Sequence, residues 1–90
     1  MPVTYFEWDD DNEDHVAGHG VDPSEAEEVI RRQHLEEEGR GDLRLAWGTT
    51  AFGRYLLVVF APKGSGVLRV ITARDMSPRE KKNFRRRTKR

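Results

Sequence analysis

The sequence contains no cysteine. No disulfide can staple it, and no thiolate can act as nucleophile or metal ligand. It also lacks an apolar run long enough to cross a bilayer. The longest, Tyr55 to Pro62, has the length of a strand. Met1 to Trp8 has neither the basic start nor the long apolar stretch of a signal peptide. These absences make the cytoplasm the expected location and a membrane partner unexpected. Acid is scarce in one half of the chain and base in the other. Residues 1–42 carry 14 acidic and 3 basic side chains, a net of −11, while residues 43–90 carry 2 and 13, a net of +11. The formal charge of zero therefore conceals a strong asymmetry. It either neutralises itself across the fold or marks the basic half for a polyanion.

A chain of 90 residues, 36% hydrophobic and 36% charged, suits one small core under a charged surface. A single domain over 1–90 is expected, with a basic helix or tail at about 77–90. That tail holds Arg79, Lys81, Lys82, Arg85, Arg86, Arg87, Lys89 and Arg90 against Glu80 alone.

Val3 to Trp8, rich in aromatic and β-branched residues, predicts a first strand. Asp9, Asp10 or Asp11 then caps a helix running to about His19, with Gly20 ending it. Asp22-Pro23-Ser24-Glu25 starts a second helix by a capping box, with Ala26, Val29 and Ile30 facing inward and an end near Gln33 or Leu35. Glu36 to Asp42 reads as a polar loop. Leu43 to Trp47, Arg54 to Phe60 and Val67 to Ala73 predict three strands, the last two joined through Ala61 to Gly66. Ser77, Pro78 and Glu80 cap a final helix. The order β-α-α-β-β-β-α implies an α+β fold: a small antiparallel sheet with helices packed on one face.

Three stretches carry a resemblance. They are Phe-Glu-Trp-Asp at 6–9, His-Gly-Val at 19–21 with Ser-Glu-Ala-Glu-Glu-Val at 24–29, and Gly-Arg-Tyr-Leu-Leu-Val-Val-Phe at 53–60 followed by Val-Ile-Thr-Ala-Arg-Asp-Met-Ser-Pro-Arg-Glu-Lys at 70–81. In order and spacing they resemble the BrnT family of toxins from type II toxin–antitoxin pairs, from Tyr5 to about Arg86. The resemblance implies a RelE-like fold and a ribonuclease that inhibits translation until a BrnA-like, DNA-binding antitoxin binds it, in a possible higher-order complex. One departure stands out. Gly18 occupies the place where family members commonly carry Lys or Arg.

Cleaving RNA without metal requires a base for the 2′-hydroxyl proton, an acid for the leaving oxygen, and cations on the phosphorane. Histidine serves the first two because its ring titrates near neutrality, and arginine serves the third through its fork of donors. His15 and His19, four residues apart, share a helix face. They are catalytic candidates together with Arg74 and Arg54, and the resemblance weights His19 and Arg74 most. Plain structural readings stand beside these: His19 as a helix-end residue, and Arg74 paired with Asp75 or Glu80. A zinc site at His15 and His19 lacks an evident third ligand beyond His34 or a carboxylate, so neither metal nor cofactor is expected.

On strand alternation Arg69 shares a face with Ile71, opposite Leu68, Val70 and Thr72. Arg54, Arg69 and Arg74 can then line an open sheet face as a phosphate cradle. Lys81, Lys82, Arg85 and Arg86 suit phosphate or partner contacts, because a fixed cation carries no acid–base poise. Glu80 reads as a capping acid, and Trp8, Trp47, Tyr5 and Tyr55 as packing residues. The expected function is a metal-independent endoribonuclease toxin with RNA and an antitoxin as partners. The alternative, motivated by Gly18, is a module that binds RNA or antitoxin without cleaving. A third reading is a partner protein whose acidic half, around Glu36 to Glu38, docks on basic chains.

Overall fold

The computed structural model describes residues 5–89, so Val3 and Thr4 of the expected first strand lie outside the described residues. The elements run β1 (Tyr5–Glu7), α1 (Asp10–Gly18), α2 (Pro23–Arg31), β2 (Leu35–Glu38), β3 (Arg44–Thr49), β4 (Tyr55–Gly64), β5 (Val67–Asp75) and α3 (Pro78–Thr88). The five strands form one sheet in the order β1-β5-β4-β3-β2. The α+β class therefore stands, with three corrections to the expected architecture.

The first correction is β2. Leu35 to Glu38 is a strand paired antiparallel with β3, not part of a polar loop, and the order becomes β-α-α-β-β-β-β-α. Its side chains alternate half-buried and exposed. Leu35 and Glu37 face the protein, and Glu37 accepts from the Trp47 indole at 2.9 Å. An edge strand satisfies its backbone on one neighbour, so cross-strand bonds and that indole outweigh the low strand propensity of glutamate. Recruitment of Leu35 into β2 also ends α2 at Arg31, earlier than expected.

The second correction is direction. β1 runs parallel to β5, with Tyr5 opposite Val67 and Glu7 opposite Arg69. The remaining pairs are antiparallel. The β4–β5 hairpin is longer than predicted and turns tightly at Ser65 and Gly66, both with positive φ, as a type I′ connection requires. A register shift between Val59 and Phe60 interrupts the alternation. Val70 and Ala73, three residues apart, both enter the core, and Thr72 falls on the face opposite Val70.

The third correction concerns the faces. Leu56, Val58 and Phe60 of β4 meet Val16 of α1 and Ala26, Val29 and Ile30 of α2 in the core. Alternation sends Tyr55, Leu57 and, from the neighbouring strand, Trp47 to the other face. There α3 lies, its Phe84 edge-on to Tyr55 at 5.8 Å. Helices thus cover both faces. No residue of α3 is buried, so that helix is held by side-chain contacts at its rim.

Local chemistry explains the entries to the helices. Asp9 caps α1, with Asn12 completing the capping box. Ser77 and Glu80 do the same for α3, and at α2 the Glu25 carboxylate accepts from the Asp22 amide. Gly48 sits where a Cβ would stand 3.0 Å from Val29 Cγ1 and 3.1 Å from the His34 Cβ, so the sheet meets α2 through a residue without a side chain.

Asn12 pins β1, α1 and β5 together. It is 2% exposed. Its amide donates to the Glu7 carbonyl at 2.9 Å and the Val70 carbonyl at 2.7 Å, and its oxygen accepts from the Asp9 amide at 2.7 Å. Replacing it with leucine, Asn12→Leu, should cost about 1–3 kcal/mol for each buried carbonyl left unpaired. Urea unfolding beside an exposed control, His15→Ala, measures this. A loss no larger than the control's would remove the pin from the account.

Candidate functional site

The end of the molecule where α1 stops and β4 begins is organised by one guanidinium. Val21 returns its amide to the Val16 carbonyl, which closes the end of α1, and Gly20 takes φ +72° there, a conformation that suits glycine. The Gly20 carbonyl then accepts from Arg54 Nη1 at 2.9 Å. The same Nη1 donates to Glu25 Oε1 at 2.8 Å. Arg54 Nε and Nη2 grip both oxygens of Asp75 at 2.9 and 3.1 Å. Of its five N–H groups four are therefore engaged, and one remains. The Asp75 fork, foremost among its partners, raises the Arg54 pKa and lowers that of Asp75.

Arg74, one residue before Asp75, points to the opposite face. It forks onto Glu80 at 2.8 and 2.9 Å and also donates to the Asp75 carbonyl at 3.1 Å. Its Nε–H and one Nη2 hydrogen stay available. Arg69 is committed at the far end of β5, to Asp9 at 2.9 and 3.2 Å and to Glu7 at 3.2 Å. The expected cradle of Arg54, Arg69 and Arg74 is thus not assembled. Arg54 serves the face of α1 and α2, and the other two stand apart on the α3 face, each among its own carboxylates.

His15 and His19 are both exposed, and neither imidazole has a hydrogen-bond partner among the described residues. His19 is the C-terminal cap of α1 and precedes the Gly20 carbonyl that Arg54 holds. His34 is occupied, between the Arg32 carbonyl at 2.8 Å and Glu36 at 3.1 Å. Among the described residues no three His, Asp or Glu side chains gather as metal ligands would. No described helix is long and apolar enough to cross a membrane.

The cations of α3 behave differently from those of the sheet. Arg79, Lys81, Lys82, Arg85 and Arg86 form no salt bridge among the described residues, whereas Arg87 is paired with Glu37 at 2.9 Å. Lys81 and Arg85, one turn apart, both lie over the Tyr55 ring, at 5.3 and 5.1 Å from its centroid. Lys81 is close enough to Asp75 to help lower its pKa. Gly20, Arg54 and Asp75 therefore form one line of contacts that starts beside His19, while Lys81 and Arg85 gather at Tyr55 on the other face. A cleft between α3 and the β2–β3 edge, lined by Leu35, Trp47, Phe84 and Arg87 among others, includes neither His15 nor His19.

Sequence reasoning found the helix cations and the histidines but missed the part played by Tyr55, Glu25 and Asp75. Asp75 had a signal in its place beside Arg74. Tyr55 had none, because its contact with α3 joins residues about thirty positions apart. Trp8 and Trp47 are packing residues with their indoles on Glu27 and Glu37, as expected.

Fold and site together define a class: a small α+β protein with three helices on a five-stranded sheet and unpaired cations along its last helix. The family model described as ribonuclease toxin, BrnT, of type II toxin–antitoxin system matches residues 8–80. The crystal structure of the Brucella abortus ribonuclease toxin BrnT matches with a TM-score of 0.69 and 26% identity, covering 83% of this chain and 99% of that one. No curated protein matches the chain. The chain belongs to the BrnT family of ribonuclease toxins of type II toxin–antitoxin systems. Membership of such a pair implies an antitoxin partner.

The carboxylates that hold the arginines make folding acid-sensitive. Arg74, with help from the Ser77 amide, holds the Glu80 carboxyl at about 2, below its ordinary 4.5. Arg54 lowers Asp75, Arg69 lowers Asp9, and Arg87 followed by Trp47 lowers Glu37. A carboxyl more acidic in the folded state stabilises the fold above its unfolded pKa and loses that effect as pH falls. Thermal stability should thus decline as pH drops from about 4.5 towards 2. Glu80→Gln should lower Tm at pH 7 and flatten the decline, read by circular dichroism. An unchanged acid profile in that variant would refute the role given to the Arg74–Glu80 pair.

Proposed function

We propose that this toxin is an endoribonuclease that cleaves RNA without metal and so inhibits translation, acting as one BrnT-like domain in the cytoplasm until its antitoxin binds. The observation that carries the reading is two exposed imidazoles without hydrogen-bond partners at the end of α1, beside the Arg54 grip on Gly20 and Asp75, together with α3 cations that form no salt bridge among the described residues. His19 is the acid–base group. It takes the proton of a 2′-hydroxyl as that oxygen attacks the neighbouring phosphorus, and a protonated group returns a proton to the leaving 5′-oxygen. The products are a 2′,3′-cyclic phosphate and a 5′-hydroxyl. His15, on the same helix face, is the second candidate for this exchange.

Arg54 acts chiefly as a positioning residue. Four of its donors fix Gly20, Glu25 and Asp75, and through Gly20 they fix the backbone that carries His19. Arg74 keeps two free donors for a phosphorane oxygen while Glu80 holds its plane. Lys81, Lys82, Arg85 and Arg86 hold flanking phosphates. Arg69, occupied by Glu7 and Asp9, contributes long-range field more than contact.

A second reading has its own support. The three sheet arginines rest on carboxylates, and Gly18 supplies no cation, which suits a module that binds RNA or its antitoxin without cutting. Incubation of RNA with purified protein in EDTA separates the two. The nuclease reading expects scission that falls about 10²–10⁴-fold in His19→Ala, with a clear loss in Arg74→Ala. Equal background in all three proteins would leave binding alone.

Gly18 offers a further check. A Cβ there meets nothing within 4 Å. Gly18→Lys should stabilise α1 by up to about 1 kcal/mol and raise cleavage or RNA affinity. Thermal unfolding and RNA assays on the one variant measure both. No gain in either RNA assay would dissociate position 18 from the substrate.

A further inference from the structure

We infer that Tyr55 assembles Lys81 and Arg85 into a single site for one backbone phosphate of RNA. The inference rests on the nuclease reading for its ligand and adds the residue that builds the site. The two cations stand at i and i+4 on α3, an arrangement in which like charges repel. Neither has a salt bridge among the described residues. What draws both to one place is the π face of Tyr55, at 5.3 Å from the ammonium and 5.1 Å from the guanidinium carbon. The phenol oxygen also accepts from Arg85 Nε at 3.3 Å. Phe84 meets the ring edge-on at 5.8 Å and fixes its plane.

Both oxygens of Asp75 are held by Arg54, and both of Glu80 by Arg74. Lys81 thus keeps three ammonium donors and Arg85 four guanidinium donors beside the same ring. An anion there neutralises two charges that the protein itself holds together. By contrast, Arg79, Lys82 and Arg86 line a surface hollow with Asn83 and Glu80, and none of the three lies over an aromatic ring among the described residues. Tyr55 is half-buried at the start of β4, directly after Arg54 in the chain, and faces the other side of the sheet from it. Tyr55 is a positioning residue here, while Lys81 and Arg85 make the contact.

The test uses a fluorescein-labelled 2′-O-methyl RNA oligonucleotide, which binds but cannot be cleaved, and fluorescence anisotropy across a range of sodium chloride. Each phosphate neutralised on a single strand adds about 0.7 to the slope of log affinity against log salt. If the two cations share one phosphate, Lys81→Gln/Arg85→Gln lowers the slope by about 0.7, whereas separate phosphates would give about 1.4. Tyr55→Leu, which removes no charge, is expected to lower the slope by a similar amount and weaken binding several-fold, with Tyr55→Phe retaining most of both. A wild-type slope in Tyr55→Leu, or the larger loss in the double variant, overturns the inference. Should Tyr55→Leu fail to fold, the double variant on the exposed helix still decides. Inorganic phosphate should displace RNA no better than sodium chloride of equal ionic strength, and stronger displacement would reassign the site to a free anion. Wild-type cleavage of unmodified RNA is scored separately, so the clamp can fail while the nuclease stands, or stand while the nuclease fails.

Discussion

The grip of Arg54 on its three acceptors is the interaction on which the rest of the arrangement depends. The Gly20 carbonyl belongs to the corner between α1 and α2, Glu25 to the first turn of α2, and Asp75 to the last residue of β5. One side chain thus fixes the end of one helix, the start of another and the end of a central strand. Its planar fork makes this possible, because two donors match both oxygens of a carboxylate while others reach elsewhere. A lysine could not hold the same set. Everything at that end of the molecule, including His19 and the entry to α3 after Asp75, is placed relative to this group.

The same logic divides the basic residues into two populations. Those on strands or beside them meet carboxylates brought close by folding: Arg54 with Glu25 and Asp75, Arg69 with Glu7 and Asp9, Arg74 with Glu80. Such half-exposed pairs contribute modestly to stability, but they fix direction and consume donors. Among the described residues, the one α3 cation in a salt bridge is Arg87, with Glu37 of β2. The other α3 cations form no salt bridge among the described residues, and Lys81 and Arg85 rest instead on the Tyr55 ring. The charge asymmetry of the chain therefore resolves partly into internal neutralisation and partly into an unneutralised helix. Internal neutralisation accounts for the sheet arginines and Arg87, and leaves the remaining α3 cations outside it among the described residues.

Much of the fold was legible in the chain. Caps at Asp9, Asp22 and Ser77 are local chemistry, and all three helices start where those residues stand. The central strands were legible because Leu56 to Phe60 and Val67 to Ala73 leave no other element available to them. β2 was not legible, since Leu35-Glu36-Glu37-Glu38 becomes a strand through partners, Trp47 and β3, that are remote in sequence. The β5 bulge was hidden for a related reason: alternation assumes an unbroken ladder, and the shift beside Phe60 depends on pairing with β4. Of the site, His15, His19 and the basic run after Pro78 were visible by type and spacing. The commitment of each arginine, and the shared ring under Lys81 and Arg85, were not.

By itself the sequence determined the absence of thiol chemistry, the α+β class, the helix starts and the presence of histidines and a basic C-terminal run. These follow from composition and from interactions within four or five residues. Tertiary structure alone decided which face carries α3, that β1 runs parallel to β5, and which cations remain free. Those outcomes rest on contacts between residues twenty to sixty positions apart, such as Arg54 with Asp75 and Arg69 with Asp9. Charge pairing depends on distance in space, and a linear chain does not state that distance until its backbone hydrogen bonds and core have fixed it.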